Sequence, residues 1–141
     1  MSEDTLRQVE VTKIGPHRFK AVNARGGETF FGVGGVDPDF TPVELLLAAI
    51  AGCSAIDVES ITHKRSESTK FDVLAEGHKV RDEGGNRMTG LRLTFDVEFP
   101  EGEAGDAARD QLTRAIEMSR DRLCSVSRTV QLGTDVEYVE A

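Results

Sequence analysis

Tryptophan is absent, tyrosine occurs once and cysteine only twice in the 141 residues. The interior therefore has few large aromatic anchors, and Val, Leu, Ile and Ala must fill it. Two thiols cannot make the disulfide framework of a small secreted scaffold. Positive charge is also in short supply: 17 Lys and Arg face 25 Asp and Glu, for a net charge of −8. No basic cluster is longer than His63-Lys64-Arg65, which argues against nucleic-acid or anionic-membrane binding, both of which need a basic face. The longest apolar run, Leu45 to Ala51, falls far short of the ~20 residues that span a bilayer. The opening residues, Met1 to Arg7, are polar and lack the apolar core of a signal peptide. A cytoplasmic protein is the expectation, with thiols kept reduced or only transiently paired.

No internal repeat or low-complexity linker breaks the chain, so one domain over residues 1–141 is expected. Alternation through Val9, Val11 and on to Ile14 predicts a strand ended by Gly15-Pro16. Arg18 to Ala24 reads as a second strand, turning through Arg25-Gly26-Gly27 into a third over Glu28 to Val33. The helix after the Gly34–Asp39 loop has the clearest start signal in the chain. Thr41 suits the N-cap, Pro42 the first helical position, and Glu44 completes a T-x-x-E capping box. From Leu45 to Ile56 it is apolar or small nearly all round, which predicts burial on most sides, with partner-subunit packing one way to achieve it.

A second antiparallel pair follows, Phe71, Val73 and Ala75 alternating on one strand and Leu91 to Phe99 on the next. The odd-numbered face of the latter should pack inward, with Arg92, Thr94, Asp96 and Glu98 toward water. Arg81 to Asn86 reads as the connection. Asp106 is the expected N-cap of a helix to about Leu123, with an apolar stripe of Leu112, Ala115, Ile116, Ser119 and Leu123. A short helix over Ser125–Leu132 and a final strand over Asp135–Val139, on which Tyr138 packs, complete an α+β chain with antiparallel sheets.

Chemistry centres on Cys53, inside the apolar helix, and Cys124, at the junction of two helical patterns. A thiol works as thiolate and needs a cation or a helix N-terminus to stabilise it. Cys124 stands just ahead of a helix start, near Arg120, Arg122 and Arg128 in sequence. Cys53 needs a cation from elsewhere, Arg18 and Arg25 being available on the first hairpin. Spacing alone leaves both readings open: inert core thiols, or a redox couple. No metal site is expected, because His17, His63 and His78 form no C-x-x-C or H-x-x-x-H spacing with either cysteine. The Gly32-x-Gly34-Gly35 run lacks the Gly-Lys-Ser/Thr of a phosphate loop. Glu59 and His63, at i, i+4, read as a solvated surface pair.

The segment from Thr41-Pro42-Val43-Glu44-Leu45 through Ala51-Gly52-Cys53-Ser54-Ala55-Ile56-Asp57-Val58, followed far downstream by Leu123-Cys124-Ser125-Val126-Ser127, resembles the OsmC/Ohr family. It is most like the OsmC-like redox-protein branch. The resemblance implies antiparallel sheets wrapped around a long buried central helix, in an intertwined homodimer with active sites at the subunit interface. It implies a thiol-dependent peroxidase for organic hydroperoxides: Cys53 peroxidatic, Cys124 resolving, and no bound cofactor. An external dithiol, a dihydrolipoyl group on a reductant protein in the Ohr branch, closes the cycle. The family places an Arg on the early hairpin, held by a Glu at the start of the cysteine helix. Arg18 is assigned the first role, and Glu44 is the available support. The Glu position of the motif is held here by Val43, about 100° away from Glu44 around the helix. Ser125 also stands where the peroxidases commonly have Pro. Two other functions fit the same fold: a non-catalytic module binding a small hydrophobic ligand, and a thiol–disulfide regulator.

Overall fold

Among the described residues nine elements follow one another, and the hairpins among them are all between sequence neighbours. The computed structural model describes residues 5–35 and 37–141. Strands β1 (Val9–Gly15), β2 (Arg18–Asn23) and β3 (Glu28–Phe31) form an antiparallel sheet in that order. Helix α1 (Pro42–Thr62) is followed by a long hairpin of β4 (Lys70–Asp82) and β5 (Gly85–Glu98). Helix α2 (Glu103–Met118), a π-helical turn (Ser119–Leu123) and α3 (Ser125–Leu132) complete the order. The α+β class with two antiparallel sheets is as expected. The chain divides into two compact units, Met1–Leu46 and Leu47–Ala141.

In the first unit Asn23 makes the β2–β3 turn: its Oδ1 accepts the backbone N–H of Arg25 at 3.1 Å and of Gly27 at 2.8 Å. Gly26 supplies the left-handed backbone, at φ 88°. Stacked Phe19 and Phe31, with ring centroids 6.0 Å apart, join β2 to β3. Strand β3 ends at Phe31 rather than Val33; beyond it the chain is held by Gly32, whose N–H bonds the Phe40 carbonyl at 3.1 Å. The capping box forms as the sequence predicts. Thr41 N–H donates to Glu44 Oε1 at 2.8 Å, and Glu44 N–H donates to Thr41 Oγ1 at 3.2 Å.

Helix α1 departs from its expected burial. Only Ile50, Ser54, Val58 and Thr62 are buried, a single stripe at i, i+4, i+8 and i+12, while Ile56 stays 69% exposed. One chain covers one face of this helix and leaves Ala48, Ala49 and Gly52 open. By length and composition the 21 residues of α1 suffice to cross a bilayer, although Ser54, Asp57 and Thr62 use their polar groups on protein partners.

The β4–β5 hairpin keeps the predicted face, with Arg92, Thr94, Asp96 and Glu98 exposed, Leu93, Phe95 and Val97 half-buried and Phe99 buried. Leu91 is the exception and remains exposed. Pairing extends to Asp82 and Gly85, which leaves only Glu83-Gly84 as the connection. Asp82 Oδ1 accepts Gly84 N–H at 2.9 Å, a side-chain turn that the longer polar segment concealed.

Helix α2 starts at Glu103, three residues before the expected cap. Asp106 lies inside the first turn, where it pairs with Arg109 at 3.0 Å. The early start depends on a close approach. A Cβ on Gly105 would lie 1.8 Å from the Pro100 carbonyl oxygen, so only glycine lets the loop pass beneath the helix. Of the predicted stripe, Ala115 and Ser119 are buried, Leu112 and Ile116 half-buried, and Leu123 exposed. The final strand does not form: residues 134–141 have no regular structure, and Tyr138 is 92% exposed rather than packed. A strand needs a neighbour to satisfy its backbone groups, and among the described residues none lies beside this segment.

Two substitutions test these local determinants. Gly105→Ala should cost at least ~1–3 kcal/mol through overpacking against Pro100, read as a lowered urea midpoint with an unchanged slope. Thr41→Ala should cost about 1 kcal/mol through loss of the cap. Unchanged midpoints would refute each assignment.

Candidate functional site

Three elements of the second unit bring the reactive side chains together. Helix α1 carries Cys53, Ser54 and Asp57 within little more than one turn, while the π-turn and α3 bring Ser119, Cys124 and Ser127. The sulfurs of Cys53 and Cys124 and a carboxylate oxygen of Asp57 all lie within 4.8 Å of one another. The structure thus brings the two thiols close together, and both are free.

Cys124 is positioned by backbone geometry. The N–H of Cys124 reaches five residues back to the Ser119 carbonyl at 2.9 Å, closing the π-turn. Its own backbone is extended, at φ −75° and ψ 100°, and it caps α3. The sulfur accepts Ser127 N–H at 3.3 Å, as the sequence position ahead of a helix start suggested. Cys124 is wholly buried, and Cys53 is half-buried.

Burial pushes the Cys124 thiol up from its ordinary range, because the charged form loses water. The Ser54 hydroxyl and the Ser127 N–H oppose the rise by donating to the sulfur, and the neighbouring Cys53 adds to it. Two of the three arginines near Cys124 in sequence have other partners. Arg120 is bound to Asp121 through two contacts of 2.6 and 2.9 Å, and Arg128 donates to the Asp121 carbonyl at 3.4 Å.

Asp57 is the residue that sequence reasoning passed over. Its Oδ2 accepts the hydroxyl of Ser119 at 3.0 Å, tying α1 to the start of the π-turn. The available signal was its i, i+4 spacing from Cys53, which places both on one helix face. Ser119 itself was read only as part of an apolar stripe.

Arg18 and Glu44 belong to the first unit. Arg18 is ion-paired with Asp39, a partner not foreseen, and its Nε is buried without a hydrogen-bond partner. Glu44 spends its carboxylate on the Thr41 N–H. The structure thus joins Arg18 to Asp39 and assigns Glu44 to helix capping. His63 pairs with Glu67 at 2.9 Å rather than with Glu59.

A cavity of about 410 Å³ opens in the second unit, bordered by Leu47, Ile50, Leu93, Phe95, Ile116 and Val130. Ser54 and Ser127, the two groups that donate to Cys124, are also on its wall, with Glu76, Arg92 and Arg120 as its charged members.

A family model described as OsmC-like protein matches residues 34–139. Protein YhfA of Escherichia coli K12 is 31% identical over 99 residues, 70% of this chain and 69% of its own length. An OsmC-like protein of unknown function from Vibrio cholerae O1 superposes with a TM-score of 0.73 at 17% identity, over 93% of this chain and 95% of that one. The organic hydroperoxide resistance protein OhrB of Bacillus subtilis superposes with a TM-score of 0.54 at 15% identity, over 86% and 90%. At such identities the two structures speak for the fold. With the family model covering most of the chain, this protein belongs to the OsmC family.

Proposed function

We infer that this chain is a thiol-dependent hydroperoxide reductase. The observation that carries the reading is the convergence of Cys53 and Cys124, distant in sequence, to sulfurs within 4.8 Å. In the first step the Cys53 thiolate attacks the distal oxygen of ROOH. The O–O bond breaks, the sulfur becomes a sulfenic acid, and the alkoxide takes a proton to leave as ROH. Cys124 then attacks the Cys53 sulfur; water leaves and a disulfide forms, which an external dithiol reduces. Cys53 takes the first role because it is the more accessible thiol, whereas burial holds Cys124 in its neutral form. Arg18, fixed by Asp39 instead of a helix glutamate, is assigned as the cation that favours the Cys53 thiolate.

The working form in this reading is a cytoplasmic homodimer. Its support is the apolar surface a single chain leaves open: Ile56 on α1 and the exposed Val136, Tyr138 and Val139 near the end of the chain. The reductant is a dithiol protein, the substrate an organic hydroperoxide of unspecified side chain. The apolar cavity of about 410 Å³ favours a second reading, a module that binds a small hydrophobic ligand without redox chemistry.

Stoichiometric cumene hydroperoxide followed by non-reducing intact mass spectrometry separates the two. Loss of two hydrogens, absent in Cys53→Ser and Cys124→Ser, is the expected result; thiols unchanged by excess peroxide would exclude the peroxidase and leave the binding module. The alkylation rate of Cys124 in Cys53→Ser should have a pH midpoint above the ~8.5 of a free thiol. Sedimentation should give a dimer that Ile56→Asp converts to monomer; a monomeric parent protein would refute the assembly.

A further inference from the structure

We propose that the reduced Cys53–Asp57–Cys124 cluster is a binding site for one thiophilic divalent cation of the Zn²⁺ class. The three side chains offer two sulfurs and one carboxylate oxygen, none separated from another by more than 4.8 Å. A triangle with 4.8 Å sides has its corners about 2.8 Å from its centre, against the ~2.3 Å of a Zn–S bond and ~2.0–2.2 Å of a Zn–O bond. Since 4.8 Å is the upper bound on each side, side-chain adjustments of at most about 0.5–0.8 Å suffice. Two thiolates select a soft or borderline cation over Mg²⁺ or Ca²⁺, which prefer oxygen ligands.

The groups behind the ligands are those of a prepared site. The carboxylate of Asp57 is oriented by the hydroxyl of the fully buried Ser119, at 3.0 Å. The Cys124 sulfur is oriented by Ser127 N–H at 3.3 Å and by the Ser54 hydroxyl. Such outer contacts fix ligand direction and raise affinity. Cys53 and Asp57 are one helical turn apart on α1, and Cys124 approaches from a separate element, so the site exists only in the folded chain.

Binding is balanced by proton release. Two thiols and one carboxylate take up M²⁺, two protons leave, and the cluster carries a net charge of −1. The same sulfur electron pairs are then committed to the cation, so metal occupancy and disulfide formation exclude each other. The proposal concerns the reduced protein in the absence of peroxide, and it stands or falls separately from the peroxidase reading.

Chain reduced with a phosphine and stripped by chelator is titrated with Co²⁺, then with Zn²⁺ as competitor. One Co²⁺ per chain should bind, with thiolate-to-cobalt charge-transfer absorption that Zn²⁺ removes. Cys53→Ser and Cys124→Ser should lose that absorption, and the disulfide form should not bind. Ser119→Ala should weaken binding about 10–100-fold, and Asp57→Asn, which keeps side-chain shape, at least as much. Far-UV circular dichroism on each variant confirms that it is folded, and Asp57→Asn decides if a cysteine variant is not. Absence of the charge-transfer band at stoichiometric Co²⁺, one ion shared by two chains, or wild-type affinity in Asp57→Asn would each overturn the site.

Discussion

The bond from Cys124 N–H to the Ser119 carbonyl sets up everything around the two thiols. Reaching five residues back instead of four, it widens one turn and lets the chain leave the helix with Cys124 extended and ready to cap α3. The same turn keeps Ser119 inside, where its hydroxyl meets Asp57, and puts Arg120 at the surface on Asp121. A regular α-helix through residues 119–123 would rotate these side chains relative to one another. The site is therefore built less by its cysteines than by a local irregularity that delivers one of them.

That irregularity also explains the different surroundings of the two thiols. Cys53 sits in an ordinary helix among small residues and keeps access to solvent. Cys124 is wholly buried and held by two donors, with desolvation prevailing over their help. Stabilising a thiolate takes charge, and Arg120 and Arg128 are spent on Asp121. The polar residues beside the sulfurs are two serines and an aspartate. Such surroundings can orient a thiol and hold a proton.

Much of the architecture was legible because it rests on short-range signals. The capping box at Thr41 and Glu44, the start of α3 after Cys124 and the inward face of β5 each follow from spacing within a few residues. Failures came where distant contacts decide. Asp106 looked like a cap, yet α2 begins earlier because Gly105 lets Pro100 lie beneath it. Val136 to Val139 alternates as a strand does but has no strand beside it among the described residues. The apolarity of α1 promised burial on most sides, and one chain supplies it on a single stripe. At the site, the cysteines were found by their motifs. Asp57 and Ser119 were missed because their meeting depends on a fold-level approach that neither residue type announces.

Both sheets consist of hairpins between neighbouring strands, contacts that close short loops and form rapidly. The cysteine pair is different, since joining Cys53 to Cys124 closes a loop of roughly seventy residues that contains the whole β4–β5 hairpin and α2. Chain entropy therefore orders assembly: hairpins and helices first, the thiol cluster after the elements between its members have condensed. A disulfide there would remove that same loop entropy from the unfolded chain, by about 4–5 kcal/mol in the chain-entropy model. Oxidation would then leave the protein more stable against unfolding than its reduced form, and the state of two sulfur atoms would be registered in the folding equilibrium of the second unit.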